Sequence, residues 1–303
     1  MTLSPHRTSG SSGQRDPSAP ADPVAGSALF PFAAALLGLA FAAAIAGLLI
    51  DDVYTGAEST AAMFRGYDLV TLTVVAPALA VAALNLHRRS RTPALAVTGL
   101  AAYLVYTYAY YLFGTGFNDL FLVHIAVFGT ALVTVVLGFR TVSAIEAPAL
   151  LLARPRARLT AALLGLLTLA LGGMWVWAGV DNALTGAVPA GSRLVETDTV
   201  VRLGIALDLG VLVPFYLVAA VLLWRGAVWG FLLGSVALLS GLLHQVSYLV
   251  AMPMQVAADV PEAVSSDPAE PVVVLVYLFG AILLARSRKG TPTNASRRAD
   301  SAD

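Results

Sequence analysis

The residues able to do chemistry are few, and they sit in apolar surroundings. Asp208 stands among Gly204, Ile205, Ala206, Leu207 and Leu209. A carboxyl placed in hydrocarbon costs about 2.5–3.5 kcal/mol on insertion scales unless it is paired or wet, so its presence points to a proton, a cation or a neighbouring helix as partner. His124 and His244 interrupt two other apolar runs, the second followed directly by Gln245. An imidazole in such a run serves as a proton carrier, a metal ligand or a helix-to-helix hydrogen bonder. Asp68 opens a further apolar run and is expected at its interfacial mouth. Asp68, His124, Asp208 and His244 would together supply two carboxylates and two imidazoles, but no HExxH or comparable ligand spacing accompanies them, and no metal site is assigned.

Tyrosines form the second group. Tyr103, Tyr106, Tyr108, Tyr110 and Tyr111 are half of the 10 tyrosines in the chain. Tyr103, Tyr106, Thr107 and Tyr110 share one helical face, and Tyr103 and Tyr106 are expected deepest, as lining of a polar site. Tyr108, Tyr110 and Tyr111 are expected at headgroup level, where aromatic belts form without further function. Pro77 and Pro214 each remove a backbone N–H from an apolar run and lie eleven residues before Arg88 and Arg225, which marks them as candidate flex points. Gly230 and Gly234 form a GxxxG, with Gly241 seven residues on, which favours close packing against another helix of the same chain or of a second copy.

What is missing narrows the chemistry. With no cysteine there is no thiol nucleophile, disulfide or Cys-ligated metal. The chain has no P-loop, no GxGxxG opening a helix after a strand, no GxSxG and no HExxH, so no cofactor is assigned and the chain leans away from an enzyme. A net charge of zero argues against a nucleic-acid partner.

The elements that must position these residues are set by composition. A chain of 303 residues that is 58% hydrophobic and only 12% charged belongs in a lipid bilayer. Runs of about 20 apolar residues, the length that crosses about 30 Å of hydrocarbon, predict eight helices. They cover 28–50, 68–86, 94–113, 120–139, 159–180, 203–224, 227–251 and 271–285, the last being short. Placing the N-terminus in the cytoplasm puts 15 of the 18 lysines and arginines on that side, leaving Arg65, Arg193 and Arg202 outside. The positive-inside rule therefore predicts a multi-pass protein of the cell membrane with both termini cytoplasmic. Residues 1–27 and 286–303 read as disordered tails, the second basic.

An internal repeat is expected as well. Ala34–Leu39 recurs as Ala161–Leu166, and Asp51, Thr55, Gly56 and Ala57 recur as Asp181, Thr185, Gly186 and Ala187. Asp68-Leu69 pairs with Asp208-Leu209, and Pro77 with Pro214. Four spans separate equivalent points, which predicts an all-α membrane fold of two parallel four-helix halves, 28–139 and 159–285, joined by a cytoplasmic linker over 140–158. Three readings of function follow. One is a transporter of a small solute or ion with an outward-facing polar pocket around Asp208, His244, His124 and the inner tyrosines. Another is a scaffold, sensor or accessory subunit whose polar residues lock helices together. The third is a membrane enzyme with a His/Asp pair on the extracytoplasmic side.

Overall fold

In the computed structural model the described residues are 23–88, 90–145, 153–187, 189 and 192–287. Most of both predicted tails, the Asn294-Ala295-Ser296 sequon and the centre of the 140–158 linker lie outside them. Every regular element among the described residues is helical. Helix α1 (Pro23–Leu49) leads to α2 (Glu58–Val70), which runs through a π-helical turn (Thr71–Val75) into α3 (Ala76–Leu84). Helices α4 (Arg91–Phe113), α5 (Phe121–Ala144) and α6 (Arg154–Thr185) follow. Helix α7 (Asp198–Leu207) passes through a second π-helical turn (Asp208–Leu212) into α8 (Val213–Trp224), before α9 (Val228–Ala257) and α10 (Glu270–Arg286).

Seven of these continuous helices among the described residues are long and apolar enough to cross a membrane: α1, α2–α3, α4, α5, α6, α7–α8 and α9. The segment read as an eighth span is α10, a helix of 17 residues packed on α9 and α6. At 1.5 Å per residue it is about 25 Å long.

The second apolar helix begins ten residues earlier than its hydropathy announces. Glu58 to Tyr67 carry Glu58, Ser59, Thr60 and Arg65, which pull the segment below a span-finding threshold, yet all ten are helical and most are buried. Asp68 is therefore not at the mouth of its helix. It lies ten residues in, about 15 Å from the start by helical rise, with a relative exposure of 1%.

Both π-helical turns precede a proline, which has no N–H and whose ring collides with the carbonyl four residues back. Pro31 and Pro253 lie inside α1 and α9 without such a turn. The Ala76 amide donates to the Thr71 carbonyl and the Val213 amide to the Asp208 carbonyl, both five residues apart. Each wide turn starts six residues before its proline, at Thr71 before Pro77 and at Asp208 before Pro214. The aspartates do not follow this register: Asp68 precedes Pro77 by nine residues and Asp208 precedes Pro214 by six. The landmarks are thus offset by three residues, close to one helical turn.

Packing follows the same order in both parts of the chain. Helix α1 packs on α5 and α3, and α4 packs on α3 and α5. Helix α6 packs on α10 and α8, and α9 packs on α8 and α10. Between the parts, α4 lies on α9, α2 on α9 and α4 on α7. Small residues permit these approaches: a Cβ on Gly66 would fall on the backbone of Ala251, and one on Gly99 would collide with Leu239. Gly230 and Gly234 are buried inside the chain, and a Cβ on Gly230 would fall on the backbone of Leu222 and Leu223 in α8. The GxxxG thus serves an intrachain contact.

The loops following α1, α4, α6 and α9 gather at one end. There the Thr55 hydroxyl donates to the Phe117 carbonyl, and Gln255 accepts from the Val195 amide while donating to the carbonyls of Ser59 and Val195. At the opposite end Arg91 donates to the Ile145 carbonyl and Arg156 to the Arg286 carbonyl, while the Arg158 guanidinium lies 5.6 Å from the Trp224 ring centre.

Candidate functional site

Asp208 is held where three helices meet. Its backbone opens the wide turn between α7 and α8, and its side chain has a relative exposure of 8%. The Tyr106 hydroxyl from α4 donates to Oδ1 at 2.5 Å and the Trp175 indole N–H from α6 donates to Oδ2 at 2.7 Å. One donor thus meets each oxygen, and both donors are neutral. Tyr106 also contacts the Tyr110 hydroxyl at 3.3 Å.

Asp68 is built from the same chemistry on α2. The Tyr54 hydroxyl, from the loop after α1, donates to Oδ2 at 2.5 Å, and the Tyr111 hydroxyl from α4 donates to Oδ1 at 2.9 Å. Tyr111 shares its hydrogen with the Phe64 carbonyl at 3.0 Å. Gly47 of α1 closes the site, since a Cβ there would collide with the Asp68 carboxyl and the Tyr54 hydroxyl. The Tyr54 phenol, in its loop, is pushed well above the ordinary tyrosine range, first by burial and then by the charge of Asp68.

The expected headgroup belt on α4 is not there. Tyr108, Tyr110 and Tyr111 have relative exposures of 1%, 5% and 1%, and α4 is the most buried of the seven apolar helices. All five tyrosines point into the bundle because α4 runs through its middle, with α3, α5, α7 and α9 around it. Tyr103 reaches across to the Ser247 hydroxyl of α9 at 2.7 Å. Asn118, in the hairpin before α5, accepts from the Leu120 amide at 3.0 Å.

The two histidines go to different places. His124 has no exposure and lies among the rings of Tyr54, Tyr108 and Tyr111, with centroid distances of 6.2, 5.6 and 4.8 Å. Neither of its ring nitrogens has a hydrogen-bond partner, nor has the Tyr108 hydroxyl. His244 is half-buried, edge-on to Tyr106 at 4.7 Å, and its Nδ1 is also without a partner. Gln245, beside it, turns to the Glu270 carboxylate of α10 at 2.5 Å. The sequence-predicted residues therefore divide: Asp208, Tyr106 and His244 come together, Asp68 and His124 form a second cluster, and Gln245 belongs to neither. Among the described residues no three of His, Asp and Glu gather as a metal-binding group.

Sequence reasoning missed Trp175, Tyr54 and Glu196. Trp175 is a lone buried indole in a helix whose next tryptophan, Trp177, faces outward at 72% exposure, and only the i, i+2 alternation hinted at two faces. Glu196, in the loop before α7, is half-buried and accepts from the Ser192 hydroxyl at 3.0 Å. Its carboxyl is raised above the ordinary value, chiefly by burial and also by the charge of Asp208, against the lowering effect of the Ser192 bond. A cleft of about 380 Å³ lies between the ends of α6 and α7, lined by Gly179, Asn182, Asp198, Val201, Arg202 and Ile205, with Pro189. Gly179 is one turn beyond Trp175, and Ile205 one turn before Asp208.

The arrangement defines a class: a multi-pass helical membrane protein with two enclosed carboxyl groups, each bonded by neutral ring donors. No family model, curated protein or solved structure matches the chain. Chemically, burying a carboxyl whose hydrogen-bond donors are all neutral favours its uncharged form or a countercharge nearby. Asp68 has the charge of Arg65 acting on it, and Asp208 has no such partner among the described residues. An imidazole–carboxylate pair for acid–base catalysis is not formed among the described residues.

Proposed function

We propose that the protein is a proton-linked carrier of a small solute or ion, with Asp208 as its proton-binding carboxyl. The observation that carries this reading is the position of Asp208, which opens a π-helical turn before Pro214, has only neutral donors and lies one turn from a cleft between α6 and α7. Wide turns inside helices are frequent at functional sites, and an ionisable group inside a membrane helix marks a pathway more often than a lock.

The architecture behind it is eight spans in a parallel 4+4 arrangement, with both termini cytoplasmic. The recurring packing order of the two parts, the paired π turns and the paired prolines support the repeat. The concentration of arginines at one end supports the orientation and a cytoplasmic-membrane location. Helix α10 would supply the eighth span, bringing the basic C-terminal segment back inside. The test is proton flux into proteoliposomes under an imposed pH gradient, read with an entrapped pH dye and with small cations and zwitterions added in turn. Wild-type flux is lost in Asp208→Asn. Flux unchanged by Asp208→Asn overturns the reading.

A second reading, a scaffold or accessory subunit, is favoured by Asp68, whose donors are all supplied within a sealed cluster. On that reading Asp208→Asn lowers thermal stability and moves no flux.

A further inference from the structure

We propose that Tyr110 and Tyr106 form a two-hydroxyl relay that passes protons between the Glu196 loop and the Asp208 carboxyl. This rests on the reading of Asp208 as a proton-exchanging group and adds the route by which the proton reaches it.

The direction of the hydrogens follows from the bonds. Tyr106 gives its single hydrogen to Asp208 Oδ1 at 2.5 Å. A hydroxyl has one hydrogen to give, so at the 3.3 Å contact between the two phenols Tyr110 is the donor and Tyr106 the acceptor. Both hydrogens therefore point toward the carboxyl, and the Tyr110 oxygen is left as an acceptor at the outer end of the chain. Gly204 of α7 makes room for that hydroxyl, since a Cβ built there comes within 3.0 Å of it.

The surroundings leave this as the only hydroxyl chain to Asp208 among the described residues. Trp175 of α6 is a donor that cannot accept, so it ends the network on the other oxygen. Tyr216 of α8 and Tyr277 of α10 bond each other at 3.1 Å. His244 of α9 lies 4.7 Å from Tyr106 and 6.5 Å from Tyr110 between ring centres and bonds to neither, acting as a wall. At the loop, the charge of Glu196 acts on Tyr110, and its carboxyl responds to the charge of Asp208.

The transfer balances without a phenolate. As the Asp208 Oδ1–H bond forms, the Tyr106 O–H bond breaks. Tyr106 takes the hydrogen of Tyr110, and Tyr110 takes one from a hydronium ion on the loop side, which is left as water. One proton has moved from solvent at the Glu196 loop to Asp208, both phenols are neutral again, and rotation of the two hydroxyls resets the chain.

The experiment uses the full chain in liposomes, with the proton as probe: a pH jump followed by time-resolved infrared detection of the protonated-carboxyl band of Asp208, identified by its loss in Asp208→Asn. In Tyr110→Phe the band reaches the same amplitude but forms about a hundredfold more slowly, the scale of a lost positioned proton donor. Gly204→Ala, which displaces the Tyr110 hydroxyl and keeps the phenol, slows it as well and decides the matter if Tyr110→Phe does not fold. An unchanged rate in Tyr110→Phe, or in Gly204→Ala where that variant decides, overturns the relay and leaves Asp208 as the exchanging group. A wild-type band that is absent, or that survives Asp208→Asn, overturns the reading of Asp208 itself.

Discussion

Asp68 and Asp208 each stand ten residues after the acidic residue that begins their helix, Glu58 and Asp198, yet they are enclosed in different ways. Asp68 is bonded by the loop after α1 and by α4, both from the first half of the chain, and Gly47 seals it. Asp208 is bonded by α6 from its own half and by α4 from the other, with a cleft one turn away. A polar group closed within one half stabilises that half. On the proposed carrier reading, a polar group shared between the two parts changes when they shift, so the same carboxyl chemistry would be a lock at Asp68 and a moving part at Asp208.

The largest expected effect is functional. Asp208→Asn lowers gradient-driven proton flux by about a hundredfold or more, whereas Asp68→Asn keeps most of it, measured in the same proteoliposome assay. Equal losses from both substitutions would break the contrast. Next comes stability: Asp68→Ala removes two bonds to a carboxyl and strands the buried Tyr54 donor, while Tyr111 keeps the Phe64 carbonyl. It lowers unfolding free energy by about 3–5 kcal/mol in micelles, since each bond to a charged acceptor is worth about 1.5–3 kcal/mol. Asp208→Ala costs less in the same titration, because Asp208 is the less enclosed of the two, with a relative exposure of 8% against 1% for Asp68.

Single donors sharpen the comparison at a smaller scale. Tyr54→Phe and Trp175→Phe each remove one bond to a carboxyl, worth about 1.5–3 kcal/mol when the acceptor is charged, and Tyr54→Phe is the larger because its site is sealed. The smallest effect is on pH dependence. Burial raises the Glu196 carboxyl above its ordinary value of 4.5, so the folded state holds that proton more tightly than the unfolded chain does. Its contribution to stability is therefore most favourable at low pH and falls as pH rises from the unfolded value through the raised one. Thermal denaturation across pH 4–7 reads this slope, and Glu196→Gln flattens it.

Much of this was legible from residue types. Asp208 declares itself because nothing polar surrounds it in the sequence, and Pro77 and Pro214 mark the two helix irregularities, whose π-helical form proline alone does not dictate, since Pro31 and Pro253 sit in regular helix. Asp68 was misplaced because Glu58, Ser59, Thr60 and Arg65 lower the hydropathy of a segment that is nevertheless helical. Hydropathy measures transfer into lipid, and this segment is buried in protein. The tyrosines of α4 failed as a belt for the same reason: depth along a helix says where a phenol lies relative to the bilayer and nothing about which way it faces. Trp175 and Tyr54 could not be found at all, since a hydrogen bond across more than 30 residues in one case and from a loop in the other leaves no periodic trace.

The burial of α4 has a consequence for how the chain is made. Of the seven apolar helices it is the least hydrophobic and the one with least surface left for lipid. A segment of that kind gains little by leaving the translocation channel alone. Its entry into the membrane is therefore tied to α5, which follows after a hairpin of seven residues, is far more apolar and packs against it. Substitutions on α5 that weaken that pairing would be felt first as a failure of biogenesis, before any finished molecule could show a defect in its work.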